Sequence, residues 1–129
     1  VERARKIMRV FLDDIMEYGL NTPFMMQASH LYLGGLKEVA LVGQRGEKIT
    51  EKMLKFLRSE FFPQAVIAFA EEKNIGNTQI PLLKDRIMIN GKTTAYVCQH
   101  GTCKAPVNSV EELRTLLEEN YRDKIEVKK

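Results

Sequence analysis

A chain of 129 residues and 14.8 kDa has room for one domain with one real core, burying roughly two thirds of its unfolded surface. Hydrophobic residues at 44% and charged residues at 29% suit a globular domain, and no run approaches the roughly 20 apolar residues of a membrane span. The net charge of +3, from 20 basic and 17 acidic residues, is too small to direct the chain to nucleic acid, and the basic residues lack interleaved aromatics for base stacking. Neither nucleic acid nor membrane is therefore an expected partner. Ile7, Met8, Val10, Phe11 and Leu12 are soon interrupted by Asp13 and Asp14, which excludes a leader there, and the protein reads as cytoplasmic.

Residues 3–18 read as a helix with Ile7, Phe11, Ile15 and Tyr18 on one stripe, stopped at Gly19. Its charges run backwards, with Arg3, Arg5, Lys6 and Arg9 in front and Asp13, Asp14 and Glu17 behind, against the preference of a free-standing helix. Together with Val1 in place of Met, this leads us to expect the back half of a longer helix. Thr22-Pro23 gives an N-cap and a proline at the first helical position, so a second helix is expected from Pro23 to Leu33, ending at Gly34-Gly35. A short connection makes the two an antiparallel pair. Met25, Met26, Ala28, Leu31, Tyr32 and Leu33 spread around the second helix, which therefore wants partners on more than one side.

Then the period changes. Residues 38–43, EVALVG, read as a strand buried on both faces. Ile49, Met53, Leu57 and Phe61 recur every four residues, predicting a helix over 47–61 ended by Pro63. Residues 65–70, AVIAFA, read as a second buried strand, completing a βαβ unit with a right-handed crossover. Residues 71–92 are less regular: a polar loop, a short apolar piece from Pro81, then the tight-turn pair Asn90-Gly91. That turn either joins 86–89 to 93–97 as a hairpin or feeds the next strand. Residues 94–98, TAYVC, form the third strand, and Ser109-x-x-Glu112 is a capping box opening a last helix with Val110, Leu113, Leu116 and Leu117 inward. After Tyr121 a charged, frayed tail is expected.

Two segments carry chemistry. Gly43-Gln44-Arg45-Gly46 follows a strand and precedes a helix, where phosphate loops occur, but its spacing matches neither G-x-G-x-x-G nor G-x-x-x-x-G-K-[ST]. A plain βα turn is the first expectation there, anion binding the second. Cys98-Gln-His-Gly-Thr-Cys103 places two thiols four residues apart. They form a local disulfide if the turn brings their Cα atoms within about 7 Å. Inert thiols come first in expectation, a redox pair second, and zinc bound with His100 last, because a structural zinc site needs four ligands and the other histidine, His30, lies in the helical lead-in. No metal, no other cofactor and no catalytic triad is expected. Asp13-Asp14 and Glu71-Glu72 are sequence neighbours that do not share a helix face, and read as solvated charge.

Residues 38–43, residues 61–66 (FFPQAV) and residues 91–98 (GKTTAYVC) with Cys103 and Pro106 together resemble the C-terminal end of the YyaL-type, thioredoxin-domain-containing proteins, the spermatogenesis-associated thioredoxin-like family. The resemblance spans nearly the whole chain. Its most specific part is G-K-x-T-A-Y-V-C with a following C-x-x-P, and Gln64 departs from the asparagine of the family pattern. It implies an N-terminal thioredoxin-like domain and an α/α toroid related to six-hairpin glycosidases upstream, with residues 1–35 as the toroid's last hairpin and residues 36–129 as a small Rossmann-like tail. The implied partners are the upstream domains of the same polypeptide, and no catalytic residue carries over.

The expected fold is thus α/β: a helical hairpin, then a small three-layer module with a mainly parallel sheet of about three strands in order 2-1-3. With parallel connections reversing at the first strand, Gly43, Gln44, Arg45 and Gly46 would share a crevice with His100 and the Cys98–Cys103 loop. The expected role is that of a structural, accessory domain; the alternatives are a thiol-redox module and, more weakly, a phosphate or nucleotide binder.

Overall fold

The computed structural model describes residues 2–122, so the expected charged tail beyond them lies outside the described residues. The chain divides after Leu36 into two compact units. The first is helical: α1 (Glu2–Val10), α2 (Leu12–Tyr18), a 3-10 turn over Gly19–Asn21, and α3 (Pro23–Gly34). The single helix expected over 3–18 is interrupted at Phe11, whose φ of −96° and ψ of 9° leave the helical region. The hydrogen-bond ladder still passes through it, from Phe11 N–H to the Ile7 carbonyl at 3.3 Å and from Ile15 N–H to the Phe11 carbonyl at 2.9 Å. Gly19 keeps right-handed angles, φ −50° and ψ −37°, so α2 tightens into the 3-10 turn instead of stopping at a left-handed glycine. Pro23 opens α3 as expected, and Gly35, at φ 74°, closes it. Arg5 Nε donates to the Tyr32 hydroxyl at 2.8 Å, linking α1 to α3. None of the three helices has a buried residue, and Leu20 and Phe24 are 96% and 83% exposed.

The second unit is a four-stranded sheet in the order β2-β1-β3-β4, built from β1 (Lys37–Gly43), β2 (Ala65–Glu71), β3 (Thr94–Gln99) and β4 (Thr102–Cys103), with helices α4 (Lys48–Ser59) and α5 (Val110–Arg122). β1 and β2 pair in parallel through the α4 crossover, Lys37 opposite Ala65 and Gly43 opposite Glu71. The order 2-1-3 is as expected, but β3 runs antiparallel to β1, with Lys37 opposite Gln99 and Val42 opposite Thr94, so the sheet is only partly parallel. No α-helix follows β2. Two 3-10 segments (Glu72–Asn77 and Pro81–Leu83) and the Asn90-Gly91 turn carry the chain instead. That turn, with φ of 53° and 66° and Lys92 N–H bonded to the Ile89 carbonyl at 3.0 Å, reverses the chain at the end where β2 left, and β3 must run back down. It makes one isolated bridge, Ile89 to Lys92, and not the longer hairpin.

The alternation of β1 decides the two cores. Val39 and Leu41 face one side with Ala95 and Val97, under Met53, Leu54, Phe56 and Leu57 of α4 and Leu113 and Leu117 of α5. Ala40 and Val42 face the other with Tyr96, covered by Leu83 and Met88. The layers are therefore two helices, the sheet, and an irregular cover. Only the central strands are buried on both sides; β2, at the edge, leaves Val66 and Ile67 exposed, so it is not the buried strand its composition suggests. Phe61, counted on the α4 stripe, lies past the helix end and is 87% exposed, while Phe62 packs edge-on against Phe56 at 5.6 Å. Lys37 is buried and its ammonium donates to the Leu116 and Leu117 carbonyls, tying the start of β1 to α5.

The capping box forms. Glu112 N–H donates to Ser109 Oγ at 3.2 Å, and the Glu112 carboxylate accepts the Ser109 hydroxyl at 2.8 Å and the Asn108 N–H at 3.3 Å. Ser109→Ala should cost about 1 kcal/mol, read as a lowered urea midpoint; an unchanged midpoint would remove the cap's energetic role.

Candidate functional site

The two segments singled out by sequence sit at opposite ends of the sheet. Gly43 closes β1 beside Glu71 of β2, while Cys98 lies opposite Glu38 near the other end of β1, five residues or about 17 Å away. An antiparallel β3 carries its C-terminal end away from that of β1. The shared crevice of Gly43, Gln44, Arg45 and Gly46 with His100 and the cysteine loop is therefore not assembled.

At the carboxyl ends of β1 and β2 there is a cleft of about 360 Å³ lined by Arg45, Phe69, Glu71, Asn74, Asn77 and Thr78. This is where open α/β sheets hold ligands. The loop's own donors, however, already have anionic partners. Arg45 N–H donates to Glu71 Oε1 at 3.3 Å and Gly46 N–H to Glu51 Oε1 at 3.1 Å. Arg45 lies over the Phe69 ring at 5.4 Å. A phosphate here would have to displace carboxylates of the same sign. Gly46 has φ 83°, which favours glycine; Gly43 has a different constraint, since an added Cβ would lie 2.6 Å from Thr50 Oγ1 and 2.9 Å from Thr93 Cγ2. Behind the loop Thr93 Oγ1 donates to Glu47 Oε2 at 2.9 Å and is 2.7 Å from Thr50 Oγ1.

Hydrogen bonding from the Arg45 N–H holds the Glu71 carboxyl below the ordinary glutamate range, with Lys73 helping and partial burial opposing. The Ser109 hydroxyl, then the Asn108 N–H, does the same for Glu112. A carboxyl lowered on folding contributes stability that is present above its unfolded value and lost as pH falls through the folded one. Glu71→Gln and Glu112→Gln should each flatten the acid limb of a stability-against-pH curve below the glutamate range; limbs as steep as the wild type's would contradict these contacts.

At the other end, His100 and Gly101 have φ of 52° and 78°, both positive, as a two-residue type I′ turn demands. The turn pairs Gln99 with Thr102 and Cys98 with Cys103. Their Cα atoms are 3.9 Å apart and the sulfurs are joined as a disulfide, so the thiols are not free and the condition set by the sequence for a local bond is met. Cys98 is 3% exposed, whereas Cys103 is open to solvent. Among the described residues no group of three or more His, Cys, Asp or Glu could hold a metal ion.

The residue that sequence reasoning missed is Arg86. Its Nη2 lies 3.3 Å from Cys103 Sγ and 3.5 Å from Cys98 Sγ, and its guanidinium stacks 4.7 Å over the Tyr96 ring. Its Nε is buried without a hydrogen-bond partner. The loop that carries it is pinned on both sides. Arg86 N–H donates to the Leu83 carbonyl at 3.2 Å after Asp85 at φ 60°; Met88 N–H donates to Glu72 Oε1 at 2.8 Å; and the Tyr96 hydroxyl donates to the Ile87 carbonyl at 2.8 Å. No spacing rule reaches from 86 to 98, and only the packing of an irregular loop on β3 unites them.

Comparison with known proteins gives distant relatives. Over 113 residues the chain is 26% identical to spermatogenesis-associated protein 20 of Homo sapiens, a match covering 86% of this chain and 14% of that protein. The same-named proteins of Rattus norvegicus and Mus musculus are 23% and 22% identical over equal lengths. The match lies in the C-terminal region of these relatives, and the chain spans about 14% of their length. No family model matches the chain, and no solved structure matches it. Among the described residues no helix is long and apolar enough to cross a membrane.

Proposed function

We propose that this chain serves as a C-terminal accessory domain of a longer polypeptide, its helical unit packing on the α/α toroid that the family resemblance implies. The observation that carries this reading is the exposed apolar surface of α1 to α3. Val10, Met16, Leu20, Phe24 and Leu33 are all more than 70% exposed, in a unit with no buried helical residue. A helical unit with this much exposed apolar surface keeps in water what a neighbouring helix layer would cover. The similarity to the C-terminal region of relatives some seven times longer than the match supports the same partner, since 14% coverage leaves the rest of such a polypeptide to supply that layer.

The test is differential. Leu20→Asp and Phe24→Asp should change the stability of the 129-residue chain by no more than about 0.5 kcal/mol, because neither side chain is buried there. In the longer polypeptide the same changes should cost 2 kcal/mol or more, about the cost of placing a charge where an apolar side chain was packed. Both variants silent in the longer protein would end the reading.

A second reading, thiol–disulfide exchange at Cys98 and Cys103, is favoured by one specific observation: a guanidinium whose hydrogen-bond partners are the two sulfurs of that pair. Arginine beside a cysteine pair favours the thiolate, the reactive form in exchange. Reversible conversion of the folded chain between dithiol and disulfide is its expected behaviour.

A further inference from the structure

We propose that Arg86 is the positioning residue of a directional exchange site, in which an external dithiol attacks Cys103 and Cys98 leaves as a thiolate held by the guanidinium. This rests on the thiol-exchange reading and assigns its polarity and its reductant.

Access fixes the direction. Cys103 is exposed on the short edge strand β4, while Cys98 is buried on β3, so an incoming thiolate reaches Cys103 Sγ. The new sulfur–sulfur bond forms to Cys103, the Cys98–Cys103 bond breaks, and the electron pair goes to Cys98 Sγ. The second thiol of the reductant, its proton given to solvent, then attacks the reductant sulfur of the mixed disulfide. That closes the reductant's own disulfide and frees the Cys103 sulfur, which takes a proton from solvent. The protein gains two electrons and the dithiol loses two. A monothiol would need a second molecule to release Cys103, whereas a dithiol carries both equivalents, and a dithiol is the proposed reductant.

Arg86 supplies what the leaving sulfur needs. It is half-buried, its Nε has no acceptor, it makes no ion pair among the described residues, and its remaining contacts are the Tyr96 ring face and two neutral sulfurs, weak acceptors. A partly desolvated cation in that position gains a charge-assisted partner only when the bond opens. The other charged or titratable groups around the pair are Glu38, opposite Cys98 on β1, and His100 and Lys104 on the hairpin itself. Glu38 opposes the thiolate and the bases support it. Opening the bond need not undo the sheet, because Lys104 N–H bonds to the Val97 carbonyl at 3.0 Å and Val107 and Ala95 exchange two backbone bonds at 2.8 and 3.0 Å.

The experiment is a redox titration of the intact 129-residue chain in mixtures of reduced and oxidised dithiothreitol, with the dithiol fraction read by mass after alkylation. Arg86→Met should shift the equilibrium about tenfold towards the disulfide, roughly 30 mV for two electrons. Arg86→Lys should recover most of the shift, and Glu38→Gln should move the balance the other way. A measurement on the wild type alone guards against a misfolded variant. If Cys98 stays ionised on reduction, the protein takes up one of the two protons that dithiothreitol gives up and the other goes to solvent, so between pH 7 and 8 the exchange constant should rise about tenfold; with both thiols protonated it would not change with pH. A pair that reduces only in denaturant overturns the exchange reading and this inference together. A reversible titration with equal midpoints for wild type and Arg86→Met, or an exchange constant unchanged between pH 7 and 8, overturns the role of Arg86 and leaves the exchange reading standing.

Discussion

Leu41→Ala should lower the stability of the sheet unit by about 3–5 kcal/mol, the upper part of the range for deleting a buried leucine side chain. Leu41 is fully buried at the middle of β1, the central strand, in the cluster that includes Met53 and Leu57 of α4 and Leu113 of α5. A cavity there has little way to collapse. β1 is hydrogen-bonded on both edges, to β2 and β3, and the floor of the opposite core holds it from below. The α4 wall is held at its start by the Thr50–Thr93 contact and α5 by the Lys37 ammonium. Val66→Ala, on the exposed edge strand, is the contrast and should cost less than about 1 kcal/mol. Urea unfolding with hydrogen exchange of the β1 amides separates the sheet unit from the helical one. A loss under 1.5 kcal/mol for Leu41→Ala would mean that the two-sided core does not hold as described.

The legible parts of this fold were those in which local chemistry and tertiary packing agree. The run VALV read as a strand buried on both faces, and it is, as the central strand of the sheet. Ser109 and Glu112 announced α5 because a capping box is satisfied within four residues. What could not be read was direction and position in the sheet. AVIAFA looks as buried as VALV, yet β2 is an edge strand, and edge or centre depends on where β3 goes. β3 turned antiparallel because residues 72–93 made 3-10 turns in place of a crossover helix, a choice spread over polar residues with no periodicity. That single reversal moved the cysteine hairpin to the far end of the sheet from Arg45 and brought Arg86 to it instead. The cysteines were visible by identity; their cation was not, being supplied by an irregular loop twelve residues upstream of Cys98.

Gly43→Ala should cost about 2–3 kcal/mol even though its backbone is ordinary strand, and the loss should be partly returned by Thr50→Ala. The added Cβ meets Thr50 Oγ1 at 2.6 Å and Thr93 Cγ2 at 2.9 Å, distances real Cβ atoms do not tolerate. Neither threonine can step aside at little cost. Both are fully buried, both are β-branched with few side-chain rotamers, and their hydroxyls form a chain ending on the Glu47 carboxylate. Moving Thr50 strips a buried hydroxyl of its partner, which costs about 1–3 kcal/mol, so the strain and the hydrogen bond are alternatives and not a sum. Removing Thr50 Oγ1 first relieves the closer of the two contacts and leaves the one with Thr93. The double variant Gly43→Ala/Thr50→Ala should therefore be less damaged than the two single losses added together, by about 1 kcal/mol in urea unfolding. Strict additivity would mean that strand β1 shifts to absorb the methyl, and that the glycine after VALV is needed for the turn it begins and not for the packing beneath it.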